Sequence, residues 1–368
     1  MSYIIQLETA QGEITEAPAE PSQAFRGILR RSGLTCALAG LLAVSVRLLL
    51  LPLIPIPAPV ISDEFSYLLG ADTFAAGRLT NPPHPMWVHF ETFHVNPLPT
   101  YCSKYPPAQS LFLAFGTKVF GHPWFGVCLS AGLMFAAICW MLQGWVSPGY
   151  ALLGAVIAIF EWGFTTYWIN SYWGGAVAAM GGALVIGAVP RLARRMTFVT
   201  VLAASMGAAI LANSRPYEGL LTVLSSAAVL AWWMWRQKRS LASLRPVLVP
   251  FLLVMAPCVA AIGLYNYRLT GSPARFPYVV NERMYTASPR FSVLPPIPTP
   301  VYRHESIRKL WVDWVNPFYL AARDAAAISE IQLPDASPAT SITIMAPARP
   351  MRSRQRPAAS RPAATRIR

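Results

Sequence analysis

The stretch "AQSLFLAFGTKVFGHPWFGVCLSAGLMFAAICWMLQ", residues 108–143, is apolar for far longer than the ~20 residues that one helix needs to cross a bilayer. Its reading decides the fold, because one crossing or two changes the side of the membrane on which every later loop lies. The first part carries Lys118 and a Gly-His-Pro break at 121–123, which suits a short interfacial helix feeding a single crossing from about 123 to 143. Working outward, further apolar spans lie at about 33–51, 150–167, 173–190, 197–212, 217–235 and 246–267. The expectation is an all-α, polytopic transmembrane helical bundle of about seven spans, with interfacial helices in its first extracytoplasmic loop.

Composition agrees. Of the 368 residues, 54% are hydrophobic and only 12% are charged, about half the charged share of an ordinary soluble domain. The N-terminal stretch holds Glu8, Glu13, Glu16 and Glu20 and has neither a basic leader region nor a compact cleavage site, so the first span reads as a retained anchor. The formal charge of +14 is half accounted for by the seven arginines of residues 349–368. No basic stripe with interleaved aromatics lies outside that tail, which argues against nucleic acid as a partner. Cys36, Cys128, Cys139 and Cys258 fall in apolar runs and Cys102 in a polar loop, so no disulfide framework is implied.

Orientation follows from basic residues in short loops, which collect on the cytoplasmic side. Arg26, Arg30 and Arg31 precede the first span, Arg191, Arg194 and Arg195 follow the fourth, and Arg236, Lys238 and Arg239 follow the sixth. They share a side only if 108–143 crosses once. This predicts a multi-pass plasma (inner) membrane protein with a cytoplasmic N-terminus. The loops 52–107, 168–172 and 213–216 and the segment after the seventh span then face outward, and they hold the polar and aromatic clusters.

In the first of these loops, "ISDEFSYLLGADTFAAGRL", residues 61–79, puts Asp63 and Glu64 directly after the helix-stopping Pro52, Pro55, Pro57 and Pro59. Apolar Phe65, Leu68, Leu69, Phe74 and Leu79 suggest a helix lying in the interface. Ser62, Asp63 and Glu64 fit an N-terminal cap, and equally a catalytic carboxylate; one acid can cap while the other faces a cavity. Residues 84–107 bring His84, His89, Glu91 and His94 close together. They match no standard zinc spacing, although His89 and Glu91 would share a face of an extended segment, so His89, Glu91 and His94 are only weak metal candidates. A Pro-rich aromatic loop at headgroup level accounts for the same residues. Lys104 can hold a phosphate as a point charge, with Tyr105 beside it.

"NSRPYEGL", residues 213–220, sets Arg215 and Glu218 at the outer ends of spans five and six. An arginine at the positive end of a helix works against the dipole, which favours a functional reason such as phosphate contact. Pro216 and Glu218 also form an ordinary helix start. "WINSYWGG" and "YNYRLTGSPARFPY" add Tyr172, Trp173, Asn266 and Tyr278 as cavity walls or as aromatic-belt anchors. Arg47 and Glu161 are the charges inside spans, at depths of ~6 and ~10 Å, and are expected to pair.

Taken in order, the acid pair, the interfacial helix, "SKYPPAQSLFLAFG", "SYWGGAVAAMGGALVIGA", "SRPYEG" and "YNYRLTGSPARFPY" resemble the integral-membrane glycosyltransferases of the GT-C class, closest to the protein O-mannosyltransferase and lipid A aminoarabinose transferase group. The resemblance covers roughly residues 33–280; the order and sidedness of the motifs carry it. It implies a glycosyltransferase that moves a sugar from a polyprenyl-phosphate donor to an extracytoplasmic protein, lipid or glycan. In this resemblance Asp63 is catalytic with Glu64 as its companion, and Arg215 and Lys104 receive the donor phosphate. Tyr105, Tyr172, Trp173, Glu218 and Tyr278 line the cavity or the acceptor side. A divalent metal is neither required nor excluded, and the implied partners are the donor, the unknown acceptor and membrane lipids.

The resulting division is a cytoplasmic tail at 1–32, the seven-span module at 33–268 with its loop at 52–107, an extracytoplasmic segment at 269–335, and an Arg/Pro-rich tail at 336–368 that is expected to be disordered. Family members continue through further spans where this chain runs into that tail, which is what a frameshifted or truncated gene would produce. Two rivals remain: a transporter or flippase of lipid-linked sugar, which predicts charges near the midplane, and an inactive truncated scaffold.

Overall fold

The computed structural model describes residues 32–239 and 245–331, so the N-terminal stretch before Ser32 and the Arg/Pro-rich tail lie outside the described residues. The chain is a polytopic helical bundle. Its helices are α1 (Ser32–Leu49), α2 (Ser62–Ala75), α3 (Ala108–Phe120), α4 (Trp124–Trp145), α5 (Pro148–Trp162), α6 (Tyr167–Asn170), α7 (Gly175–Arg194), α8 (Phe198–Ala212), α9 (Pro216–Arg236), α10 (Arg245–Thr270) and α11 (Pro277–Tyr285). A short helix α12 (Glu305–Arg308), a π-helical stretch at Lys309–Val315 and α13 (Asn316–Ile331) follow. The strand content among the described residues is one small antiparallel hairpin, β1 (Val95–Asn96) with β2 (Cys102–Ser103).

Five helices, α1, α4, α7, α9 and α10 from Val247, are long and apolar enough to cross a membrane. The apolar α5 and α8 are shorter, at 15 residues each, and occupy the two remaining expected span positions. Within stretch 108–143 only α4 is long and apolar enough to cross. Gln143 at the end of α4 bonds Ser32 O and receives the thiol of Cys36 at the start of α1, while Arg194 and Arg191 at the end of α7 donate to Gly144 O and Trp140 O of α4. The start of α1 and the ends of α4 and α7 therefore share one end of the bundle. That arrangement requires α3 to turn back at Gly121, whose φ of +77° a residue with a side chain rarely adopts.

Close packing replaces the hydrophobic effect as the force between helices in lipid. A Cβ on Gly40 of α1 would stand 2.5 Å from Gly132 O of α4, so α1 and α4 meet backbone to backbone. The core runs through Ala39, Ala43, Trp124, Ala131 and Phe135 into Ile159, Ile169 and Val177.

At the opposite end from Ser32, Arg47 is fully buried. It does not pair with Glu161, which is exposed on α5. Its guanidinium instead donates to Asn170 Oδ1 at 2.9 Å and to the carbonyls of Ile54 (3.0 Å) and Pro55 (3.2 Å), and stacks on Trp124. The reason lies in the proline run: Pro52, Pro55 and Pro57 stop the helix and supply no N–H, leaving carbonyls in need of a donor. Arg47 meets that need, and no buried anion is required.

Candidate functional site

The loop from 52 to 107, at the end of the bundle away from Ser32, builds the site. In the first turn of α2 the two adjacent acids divide the roles left open by the sequence. Glu64 is buried, and its Oε2 accepts from Val60 N (2.8 Å) and Ile61 N (3.1 Å), one half of a capping box. Its Oε1 accepts from Tyr172 N (2.8 Å), fastening α2 to the turn before α7. Asp63 makes no cap bond. Tyr105 donates its phenol proton to Asp63 Oδ1, and His94 Nε2 lies 3.4 Å from Oδ2. The side chain of Asp63 keeps 23% of its surface open.

The hairpin is what brings those partners in. Its strands pair Val95 with Ser103 and Asn96 with Cys102, so residues 94 and 104 fall side by side at its open end, where Lys104 N donates to His94 O at 3.1 Å. Ser66 of α2 fastens that end, donating to His94 O at 2.6 Å and accepting from Ser103 Oγ at 2.8 Å. His94 is held at a φ of +61°, in the left-handed region that favours glycine or asparagine. The far side of the hairpin docks on α11 through Asn96 to Pro277 O and Asn281 to Val95 O. Tyr105 stacks on Tyr67 of α2 at 4.5 Å.

Burial, with the Lys104 charge acting in the same direction, pushes His94 down to about 4, against the opposing pull of Asp63. The 3.4 Å contact with Asp63 is longer than an ordinary hydrogen bond, and burial opposes the imidazolium charge that an ion pair would need. Burial likewise pushes Lys104 down to about 8, with Asp63 and Glu282 opposing. Its ammonium lies over the rings of Tyr105 (5.0 Å) and Trp311 (5.7 Å). Burial raises Glu282 to about 7, offset by Lys104. Tyr105 is raised well beyond the usual phenol range, by burial first and the neighbouring Asp63 second, so it remains a proton donor.

The remaining sequence candidates scatter more. Arg215 pairs with Glu218 at 3.5 Å in an exposed i,i+3 contact, and its charge reaches Tyr105 and Tyr67, where it opposes the rise of both phenols. Ala108 N donates to Asn213 O, which ties the start of α3 to the Arg215 turn. Tyr278 belongs to the outer rim: its hydroxyl meets that of Tyr217 at 3.1 Å, and Arg290 stacks over both rings. Tyr172 is buried, with its hydroxyl on Pro57 O and its carbonyl receiving Gln109 Nε2. Trp173 is half-buried beside Tyr167.

The three weak metal candidates do not converge. His89 is exposed, Glu91 accepts from Tyr285 and Arg303, and His94 faces Asp63. Among the described residues no group of three His, Cys, Asp or Glu side chains is placed to hold an ion. An extended loop had brought His89 and Glu91 together, but Trp87–His89 forms a 3-10 turn that separates them.

Sequence reasoning missed Ser66, Tyr67, Glu282, Arg290 and Trp311. Glu282 and Arg290 bond to each other, Arg290 Nε to Glu282 Oε1 at 3.0 Å. They sit in an ordinary charged helix and its following turn, without a spacing that betrays a site. The hairpin had a readable signal in "VNPLPTYCS", short strand formers around a Pro-Leu-Pro turn. No family model, curated protein or solved structure matches the chain.

Proposed function

We propose that the chain is a membrane glycosyltransferase that moves a sugar from a polyprenyl-phosphate donor to an acceptor on the extracytoplasmic side, with α2, the hairpin and α11 forming the active face. The observation that carries this reading is the division of labour between neighbouring acids. Glu64 takes the cap, so Asp63 remains a partly open carboxylate oriented by Tyr105 and His94, with the Lys104 cation as a neighbour.

The reaction this arrangement suits is direct displacement. An acceptor hydroxyl oxygen attacks the anomeric carbon as its proton passes to Asp63. The bond from that carbon to the phosphate oxygen breaks, and the electron pair leaves on the lipid phosphate. A carboxylate near the carbon stabilises the oxocarbenium-like state, and a phosphate leaving group calls for cations, with no strong general acid needed. Lys104 and Arg215 fill that role, Lys104 as a point charge and Arg215 as a fork for two oxygens. Membrane lipids surround the bundle, and the outward sidedness follows from the basic clusters near Arg194 and Lys238.

The test is transfer from a radiolabelled polyprenyl-phosphate hexose or pentose to envelope extract, using purified protein. Asp63→Asn keeps the size and loses the charge that accepts the proton, so turnover should fall by ~10²–10⁴-fold while donor lipid still copurifies. Near-normal transfer by Asp63→Asn, beside an active parent, would remove the assignment.

A further inference from the structure

Outside the Asp63 site, a cavity of about 270 Å³ opens between the first loop and the segment after α11. Trp87, Tyr285 and Tyr302 give it aromatic walls, Glu91 and Arg303 are its charged groups, and the rest of the lining is aliphatic. Tyr302 closes one side by donating to Tyr285 O at 2.7 Å.

Glu91 is the unusual member. Its side chain is only 2% exposed. Oε1 accepts from Tyr285 (3.0 Å) and Arg303 (3.3 Å). Oε2 has His304 Nε2 at 3.6 Å, beyond hydrogen-bond length, and that same nitrogen lies 2.7 Å from Val88 O. One oxygen of a buried carboxylate therefore borders a cavity without a donor of its own. Solvent in the open cavity can serve that oxygen, so a ligand that displaces the solvent must supply a donor in its place.

The chemistry of the walls selects the occupant. A purely aliphatic group would leave Oε2 unpaired, and because Glu91 and Arg303 already pair with each other the wall presents no net charge to hold an ion. A neutral group with one apolar face and one hydroxyl edge satisfies both, stacking on aromatic rings while its O–H groups donate to Oε2. The volume, a little below the usual range for drug-sized ligands, leaves room for one ring.

We propose that this cavity is a subsite for a neutral pyranose ring, so that the acceptor is a glycan or glycolipid whose sugar anchors against Glu91. Glu282 and Tyr285 lie three residues apart on α11, hence on one face about one turn from each other. Glu282 acts on Lys104 and Tyr285 holds Glu91, so the subsite adjoins the reacting centre. Its role in transfer rests on the reading in the preceding section; its capacity to bind a sugar does not.

The experiment is saturation-transfer NMR on the intact protein in a detergent without a sugar head group, using methyl glucopyranoside and methyl mannopyranoside as neutral probes and the matching uronate as the charged one. At least one neutral probe should receive saturation and bind about tenfold more tightly than its uronate, the order that one lost stacking or hydrogen-bond contact represents. Val301 is 95% exposed at the rim, so Val301→Trp covers the mouth without touching the core and should abolish the signal. Glu91→Gln and Trp87→Ala should weaken it, and Asp63→Asn should leave it intact. No saturation of either neutral probe at millimolar concentration, a signal indifferent to Val301→Trp, or a signal lost in Asp63→Asn would each overturn the subsite. Sugar binding without transfer would leave the subsite standing and remove the glycosyltransferase reading; transfer without sugar binding would do the reverse.

Discussion

Glu64 and Asp63 differ by one position and are put to different use. Three backbone N–H groups converge on Glu64, and charge-assisted bonds of this kind are the strong ones. Glu64→Gln should therefore cost on the order of 2–3 kcal/mol, read as a lowered melting temperature in detergent, while Asp63→Asn changes melting little. Equal losses from both variants would contradict the assignment of the cap. For His94, burial takes the folded pKa from 6.5 to about 4, so between those values the unfolded chain binds a proton that the folded chain does not. Stability present above pH 6.5 should fall as pH drops through 4, and His94→Asn, whose side chain tolerates the left-handed backbone, should flatten that part of the profile. A profile identical in parent and variant would show that His94 is already solvated. Arg47 gives a third expectation at this scale. Arg47→Met strands two carbonyls and Asn170 Oδ1 and should cost on the order of 3 kcal/mol. Glu161→Gln should lie within about 0.5 kcal/mol of the parent, and a double-mutant cycle between the two positions should show no coupling.

Helices in this chain meet where side chains are small. On α1 the buried positions Cys36, Ala39, Gly40, Ala43 and Arg47 follow helical spacing, and at Gly40 the backbone of α4 is close enough that any Cβ collides with Gly132 O. Gly40→Val should push the helices apart and cost ~1–3 kcal/mol, whereas Gly33→Val, with open space around it, should be tolerated. Thermal melting of the two variants checks this, and similar values would mean that α1 can shift without loss. The same logic applies to α2, where Phe65 is exposed, as the apolar face of an interfacial helix would be, while the helix buries Glu64, Tyr67, Gly70 and Ala71 against the protein. Gly70 lies against Ser110 of α3, so close approach set the face and hydrophobicity did not.

At the scale of the whole molecule, the turn between α3 and α4 leaves the ends of α4 and α7 beside the start of α1. If that end is cytoplasmic, cysteines introduced at Arg194 and Lys238 should resist a membrane-impermeant thiol reagent in intact cells, and a cysteine at the exposed Ala274 should react. Labelling of the Arg194 and Lys238 positions from outside would reverse the orientation. Native Cys102 cannot serve as the outer reporter that its polar loop suggested, because it is 4% exposed within the hairpin.

Membrane class, the number of apolar segments and the turn at Gly121 were legible from the chain alone, since each depends on local composition and on the length of helix a bilayer demands. So was the place of the acid pair, Asp63 and Glu64, in the first turn of a helix that follows the proline run. The partners of those acids were not legible. Choosing Asp63 over Glu64 for the open position depends on where the N–H groups of Val60, Ile61 and Tyr172 fall, and Tyr172 is far away in sequence. Pairing Arg47 with Glu161 followed from depth in the membrane, whereas the true partners are backbone carbonyls whose need for a donor arises only once the chain turns at Ile54 and Pro55. Glu282 and Arg290 join the site only because the hairpin docks on α11. Periodicity along the chain fixes which segments are helices and which lie in lipid; hydrogen-bond satisfaction between distant segments, which no local pattern encodes, decides which side chains meet.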